Sequence, residues 1–246
     1  MEKYIPGDLT GQFSGFIIII IPKKGVISLY PISQEPPVER LPGYREQIIL
    51  KSYFKSAIQT VENKLSIMNE EYFAEYGRKP IQMITSRVKK EQSIIDKMKR
   101  HGYELTMDNA VQRLYDIAGV RAICAFEHDV YHMAEVLLQH EDIHLHHRKD
   151  FIQTPKESGY RSLHLLISMP IYLAAGKRDV RMEVQLRTIT MDFWASMEHE
   201  LRYKQKIAFP EELNQEILEC ADLSAALDER MGKLQRNLTA YLAFQE

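Results

Sequence analysis

Two carboxylates define the chemistry that this sequence offers. Asp116 opens the run Asp116-Ile117-Ala118-Gly119-Val120-Arg121, and Glu183 opens Glu183-Val184-Gln185-Leu186-Arg187-Thr188. Magnesium takes one or two carboxylates and completes its shell with water and phosphate oxygens. Such a pair suits Mg²⁺ and a polyphosphate nucleotide if two distant strands are neighbours. Glu183 has a second use, because a carboxylate beside Mg²⁺ and a nucleotide hydroxyl can act as general base. A structural alternative stands beside each role. Glu183 can pair with Arg181 or Arg187 on its own strand. Arg121 can bridge Asp116 or another acid, since a charge in an apolar strand needs a partner.

Cations and one aromatic turn extend this set. Lys89, Ser93, Lys97 and Arg100 recur at helical spacing and stack on one side of a helix expected over 86–100. That stripe can track a phosphate chain, or be a solvated helix face. Arg87 offers a planar guanidinium that stacks on a base or forks onto phosphate. Gly159-Tyr160 lets backbone and ring approach a ligand. Tyr160 can stack on a purine, with Ser162 and His164 on phosphate or ribose. Alternatively, Tyr160 caps the core and His164 is buried and hydrogen-bonded. His140, His144, His146 and His147 form a histidine-rich patch, but no Cys or spaced carboxylate completes a tetrahedral metal set. His128-Asp129 stands alone and reads as surface chemistry. Trp194 and His199 read as buttresses.

The elements that must position these residues follow from composition and period. The chain has 246 residues, 45% hydrophobic and 27% charged, ordinary for a soluble globular protein. A net charge of −2 excludes a generic polyanion binder, so any basic site is local. Cys124 and Cys220 match no C-x-x-C pattern, which argues against a disulfide framework or structural zinc and fits a reducing cytoplasm. The apolar run 16–21 is far short of the roughly 20 residues of a spanning helix, and lacks signal-peptide flanks. It reads as a short strand or extension, followed by a linker rich in proline (Pro31, Pro36, Pro37, Pro42). Residues 1–43 are therefore expected to be a peripheral extension and 44–246 the working domain.

Phe54, Ile58, Val61, Leu65, Met68 and Tyr72 give a helix over 44–76, stopped by Gly77 and Pro80. A buried strand is expected over 119–126, a helix over 130–140, and extended segments over 144–152 and 162–171. Residues 180–187 alternate, with Val180, Met182, Val184 and Leu186 opposite Arg181, Glu183, Gln185 and Arg187. Four polar residues on one strand face suggest a sheet that lines a polar cleft. A helix over 191–206 precedes a long one after Pro210. Ile217, Cys220, Ser224, Leu227, Met231, Leu234, Leu238 and Tyr241 form a heptad-like stripe there. It packs on the 44–76 helix, on another copy of the chain, or both. The fold class is α+β: a mixed sheet flanked by helices, with long terminal helices.

Taken together and in this order, Ser86-Arg87-Val88-Lys89, the run from Asp116 to Arg121, the segment 156–164, the run from Glu183 to Thr188 and Phe193-Trp194-Ala195 resemble the synthetase domain of the RelA/SpoT family. The wording 150–156 and 191–196 is similar to the small, stand-alone RelP-type members. The resemblance implies a nucleotidyltransferase-like sheet. It implies transfer of pyrophosphate from ATP to the 3′-hydroxyl of GDP or GTP, giving ppGpp or pppGpp and AMP. By motif match, Arg87 and Arg121 would sandwich adenine, and Lys89, Ser93, Lys97 and Arg100 would hold ATP phosphates. Asp116 and Glu183 would bind Mg²⁺, with Glu183 also deprotonating the ribose hydroxyl. Tyr160 would stack on guanine, Lys149, Lys156 and His164 would contact the acceptor, and Gln185 would support the site. The family further implies a cytoplasmic homotetramer without membrane attachment. The short stretch before the first helix is too small for the hydrolase domain of the long members, so product degradation is not expected; no regulatory domain follows, so ribosome-linked control is not expected either. A nucleotide- or RNA-binding regulator of the same fold without turnover is the alternative, and a transferase that releases pyrophosphate is a third.

Overall fold

The computed structural model describes residues 16–20, 27–31, 44–203 and 210–243. It divides into two compact units, Met1–Gln47 and Ile48–Glu246. In the first, β1 (Phe16–Ile20) pairs antiparallel with β2 (Ile27–Pro31). The apolar run is thus a strand. Most of the proline-rich linker expected after it lies outside the described residues.

The long helix α1 (Tyr44–Tyr76) stops at Gly77. In the second unit follow β3 (Ile81–Val88), α2 (Glu91–Arg100), α3 (Met107–Arg113), β4 (Ala118–Cys124) and α4 (Glu127–Leu138). Then come β5 (His144–Asp150), β6 (Leu163–Leu173), β7 (Gly176–Thr188), α5 (Ile189–Tyr203) and α6 (Glu211–Ala243). Among the described residues these strands form a five-stranded mixed sheet, ordered β3-β4-β7-β6-β5. Only the β4–β7 pair is parallel. That pair joins the two carboxylate motifs, with Gly119 opposite Glu183.

One sheet face is the core. Val120, Ala122, Val180, Met182, Val184, Leu186, Leu163, Leu165 and Ile167 are all buried there. Full burial of side chains of this size contributes about 1.5–3 kcal/mol each relative to exposure, which fixes the register. The alternation over 180–187 therefore has its cause in one dry face and one polar face.

Two expectations need correction. The helix expected over 86–100 starts only at Glu91, because 81–88 form β3. Ser86 and Thr85 are strand residues, and Arg87 and Lys89 precede the helix. The strand is an edge strand whose side chains are largely exposed, so it lacks the apolar run that marks an inner strand. Of the two alternatives for the α6 stripe, packing on the 44–76 helix is the second to be corrected. α6 lies against α5 and α4 rather than α1, and Ile217, Ala221 and Asp228 are buried along it. Leu227, Met231, Leu234, Leu238 and Tyr241 are exposed.

Candidate active site

The register lays two rows of mostly polar residues across the other sheet face, because directly paired residues project to the same side. One row is Thr85, Arg121, Gln185, His164 and Lys149, on β3, β4, β7, β6 and β5 in turn. The next is Arg87, Gly119, Glu183, Leu166 and His147. Gly119 leaves the floor between Arg87 and Glu183 without a side chain. A Cβ there would meet only the Glu183 carbonyl oxygen, at 3.9 Å, and would otherwise fill the cleft. The resulting cavity of about 160 Å³ is lined by Arg87, Asp116, Arg121, Glu183 and Gln185, among others. The two carboxylates thus face one cavity.

Asp116 precedes β4. Its Oδ2 accepts from Lys89 Nζ at 2.6 Å and from Lys97 Nζ at 2.8 Å. Its Oδ1 is buried and has no hydrogen-bond partner in the protein. Burial raises the Asp116 carboxyl, but the two ammonium groups outweigh it and hold the acid below the usual carboxylate range. An ionised oxygen buried without a partner is costly, and a hard cation would satisfy it.

Glu183 is held differently. Its Oε1 is 2.9 Å from His164 Nδ1, and its Oε2 accepts from Gln185 Nε2 at 2.8 Å. Burial pushes this acid up and the nearby Asp116 charge adds to that, but His164 and Gln185 prevail and keep it low. Its partners are therefore not Arg181 or Arg187, as the structural alternative had it. The Arg181 guanidinium lies over the Tyr115 ring, 4.9 Å from its centroid.

Arg121 bridges an acid that sequence reasoning did not single out. Its Nη1 donates to Asp192 Oδ1 at 3.0 Å, and Arg187 Nη1 donates to the same oxygen at 3.2 Å. Asp192 lies in the first turn of α5, where an acid is favoured by the helix dipole alone, so nothing in its local sequence marks it. Thr188 ends β7 and caps α5, its Oγ1 accepting from the Met191 N–H at 3.1 Å. Its own hydroxyl donates to Asp228 Oδ2 of α6 at 2.6 Å.

The Tyr160 turn is also recast. Gly159 has φ +84°, and a Cβ there would lie 2.5 Å from Ala221 Cβ of α6. The glycine is needed for close approach to α6. Tyr160 packs against Trp194 and Ile217, and its hydroxyl lies 2.9 Å from His164 Nε2. The Lys156 ammonium sits 4.8 Å from the centre of its ring. His164 is only 7% exposed. Ser162 has no exposed surface; it donates to the Leu186 carbonyl at 3.3 Å and accepts from Arg187 Nε at 3.3 Å. In this arrangement it is a strut under the site and not a ligand contact. Lys149 is exposed beside His164. Arg87 is exposed and lines the cavity, while Ser93 and Arg100 are exposed on α2 outside its lining.

The weaker signals resolve as structure. Asp129 is buried and receives Arg78 through both oxygens, at 2.9 and 2.7 Å, so His128-Asp129 is an anchor rather than surface chemistry. Trp194 donates to the Ile217 carbonyl at 3.1 Å. His146 is bonded to Ser168 Oγ at 2.8 Å, and among the described residues no three His, Cys, Asp or Glu converge as a metal site. Cys124 and Cys220 are both free. No described helix is long and apolar enough to cross a membrane.

A mixed sheet whose polar face adjoins two acids and several cations suits the handling of a polyphosphate nucleotide. The family described as "Region found in RelA / SpoT proteins" matches residues 86–208. The chain is 46% identical over 185 residues to the GTP pyrophosphokinase YwaC of Bacillus subtilis, covering 75% of this chain and 88% of that protein. The crystal structure of small alarmone synthetase 2 from Bacillus subtilis superposes with TM-score 0.68 at 43% identity, covering 75% of this chain and 96% of that one. Small alarmone synthetase 1 from the same organism, bound to its product pppGpp, gives TM-score 0.72 at 31% identity, covering 79% and 99%. The chain belongs to the RelA/SpoT family.

Proposed function

We propose that this chain is a GTP pyrophosphokinase that transfers the β,γ-pyrophosphate of ATP to the 3′-hydroxyl of GDP or GTP, releasing AMP. The observation that carries this reading is the cavity that Asp116 and Glu183 both line, with Asp116 Oδ1 buried and without a partner. It is supported by the 46% identity to a protein named for this activity.

Asp116 and Glu183 would hold Mg²⁺, and their ionised state and unfilled oxygen fit that ion. When bound, the ion neutralises phosphate charge and lowers the pKa of a nearby hydroxyl. The residues do the remaining work. Arg87 and Arg121 take the adenine of ATP, and Lys89, Ser93, Lys97 and Arg100 bind its phosphates. Lys89 and Lys97 reach Asp116 now, so they stand where phosphate charge must be met. Glu183 accepts the proton of the acceptor 3′-hydroxyl, with its oxygens aimed by His164 and Gln185. Tyr160 receives guanine once Lys156 leaves its ring, and Lys149, Lys156 and His164 meet the acceptor, with Gln185 supporting the site. Phosphoryl-type transfer needs alignment and charge neutralisation more than covalent help, which is what this set provides. The exposed apolar stripes of α5 and α6 (Phe193, Met197, Leu223, Leu227) fit contact with further copies in a cytoplasmic homotetramer.

Incubation with Mg²⁺, ATP and GDP tests the reading. AMP and a guanosine tetraphosphate are expected in equal amounts. Pyrophosphate in place of AMP would make the chain a different nucleotidyltransferase, and neither product would make it a binder.

A further inference from the structure

We propose that Arg187 is the positioning residue that aims Glu183, through two hydrogen-bond chains that end on its two carboxylate oxygens. The inference rests on Glu183 being the acting carboxylate. Arg187 is 4% exposed and is not among the residues that line the cavity, so it must act through others.

Its Nη2 feeds both chains. It donates to the Tyr160 hydroxyl, which is 2.9 Å from His164 Nε2, and His164 Nδ1 is 2.9 Å from Glu183 Oε1. It also donates to Gln185 Oε1 at 3.1 Å, and Gln185 Nε2 donates to Glu183 Oε2 at 2.8 Å.

Donor chemistry gives each chain a direction. A guanidinium only donates. The Tyr160 oxygen therefore accepts, leaving its own proton for His164 Nε2. An ionised carboxylate only accepts, so His164 Nδ1 carries the proton that faces Glu183. The amide of Gln185 is fixed in the same way. Reversing it would set its NH₂ against the guanidinium and its oxygen against the carboxylate.

The root of both chains is held by further bonds. Arg187 Nη1 donates to Asp192 Oδ1 at 3.2 Å and Nε to Ser162 Oγ at 3.3 Å. Taking a guanidinium out of water is costly unless its donors are used. Here every nitrogen of the group has an acceptor, and two of those acceptors lead to one carboxylate. The arrangement is a fork that holds the plane of Glu183, as outer partners hold the ligands of metal sites.

The test uses the full chain with Arg187→Lys, Tyr160→Phe and Gln185→Leu. Arg187→Lys is expected to lower kcat about 10- to 100-fold, with KM for ATP and GDP within about twofold, as expected when only transition-state alignment is lost. Tyr160→Phe keeps the ring and cuts one chain; Gln185→Leu cuts the other. Each should cost less than Arg187→Lys. Adding Tyr160→Phe to Arg187→Lys should cost less than Tyr160→Phe costs alone, because its chain has already lost its root. Multiplying losses, an unchanged kcat in Arg187→Lys, or a loss confined to KM would overturn the inference. If Arg187→Lys does not fold, the two single-chain variants decide: wild-type kcat in both would overturn it.

A second readout is independent of turnover. In the ¹⁵N spectrum at pH 8, His164, assigned by the signal lost in His164→Gln, should be a single Nδ1–H tautomer. In Tyr160→Phe the Nδ1–H form should persist, because the Glu183 carboxylate still requires that proton. A mixture in the wild type, or an Nε2–H ring, would overturn the inference. Failure to form AMP with a single Nδ1–H tautomer would instead count against the activity and leave the fork standing.

Discussion

The two banks of the cleft are built on opposite principles. On the β3–β4 bank, Arg87 is exposed, and Lys89 just before α2 and Lys97 in its last turn reach a single Asp116 oxygen. Few contacts hold these cations in place. On the β6–β7 bank, Glu183, His164, Gln185, Tyr160 and Arg187 are cross-bonded and largely buried. Loose cations can follow a charged substrate as it arrives, whereas a general base must already lie on the line of attack. The first bank is suited to grip and the second to align.

The sharpest way to break this contrast is Glu183→Gln. It keeps the shape of the second bank and removes its base, so turnover should fall about 10²-fold or more with nucleotide affinity little changed. A single-turnover assay of AMP formation checks this. On the first bank, Asp116→Asn leaves Lys89 and Lys97 facing a neutral group. The Mg²⁺ concentration for half-maximal turnover should rise about 10-fold or more, measured by magnesium titration at saturating ATP. Arg87→Ala should raise the apparent KM for ATP several-fold and leave kcat nearly intact, as expected for uniform binding. An equal loss in kcat would move Arg87 to the aligning bank.

A stability pair sharpens the role of α6 behind the second bank. Gly159→Ala must adopt a positive φ and also meets Ala221 Cβ at 2.5 Å. It should cost about 1–3 kcal/mol in thermal unfolding. Gly77→Ala has φ +67° but nothing within 4 Å, so it should cost only the backbone strain of about 1 kcal/mol.

The mildest prediction concerns pH. Both acids have lowered folded pKa values, so their stabilisation is complete above the ordinary carboxylate values of 4.5 for Glu183 and 3.8 for Asp116. It is lost only as pH falls through the lowered values. Unfolding free energy from these two groups should be flat from neutrality to about pH 5 and decline below that.

Much of this contrast was legible in the residues before any coordinates. The alternation over 180–187 gave β7 its faces, and the two acid motifs pointed to adjoining strands. What escaped was of two kinds. β3 is an exposed edge, and its residues looked like the start of a helix because Lys89, Ser93 and Lys97 keep helical spacing across the break. The fork at Arg187 depends on contacts with Tyr160, Ser162 and Asp192, two of them from another part of the chain. No local period encodes such partners; they meet only when the sheet and α5 are assembled. Gly159 misled for the same reason, since its close neighbour is Ala221 on α6.

The division of labour is tested most directly by calorimetry of one non-hydrolysable ATP analogue, with Mg²⁺, on Glu183→Gln and Arg87→Ala side by side. The account predicts near-wild-type affinity for Glu183→Gln and several-fold weaker binding for Arg87→Ala. Weakened binding in Glu183→Gln with unchanged binding in Arg87→Ala would contradict it.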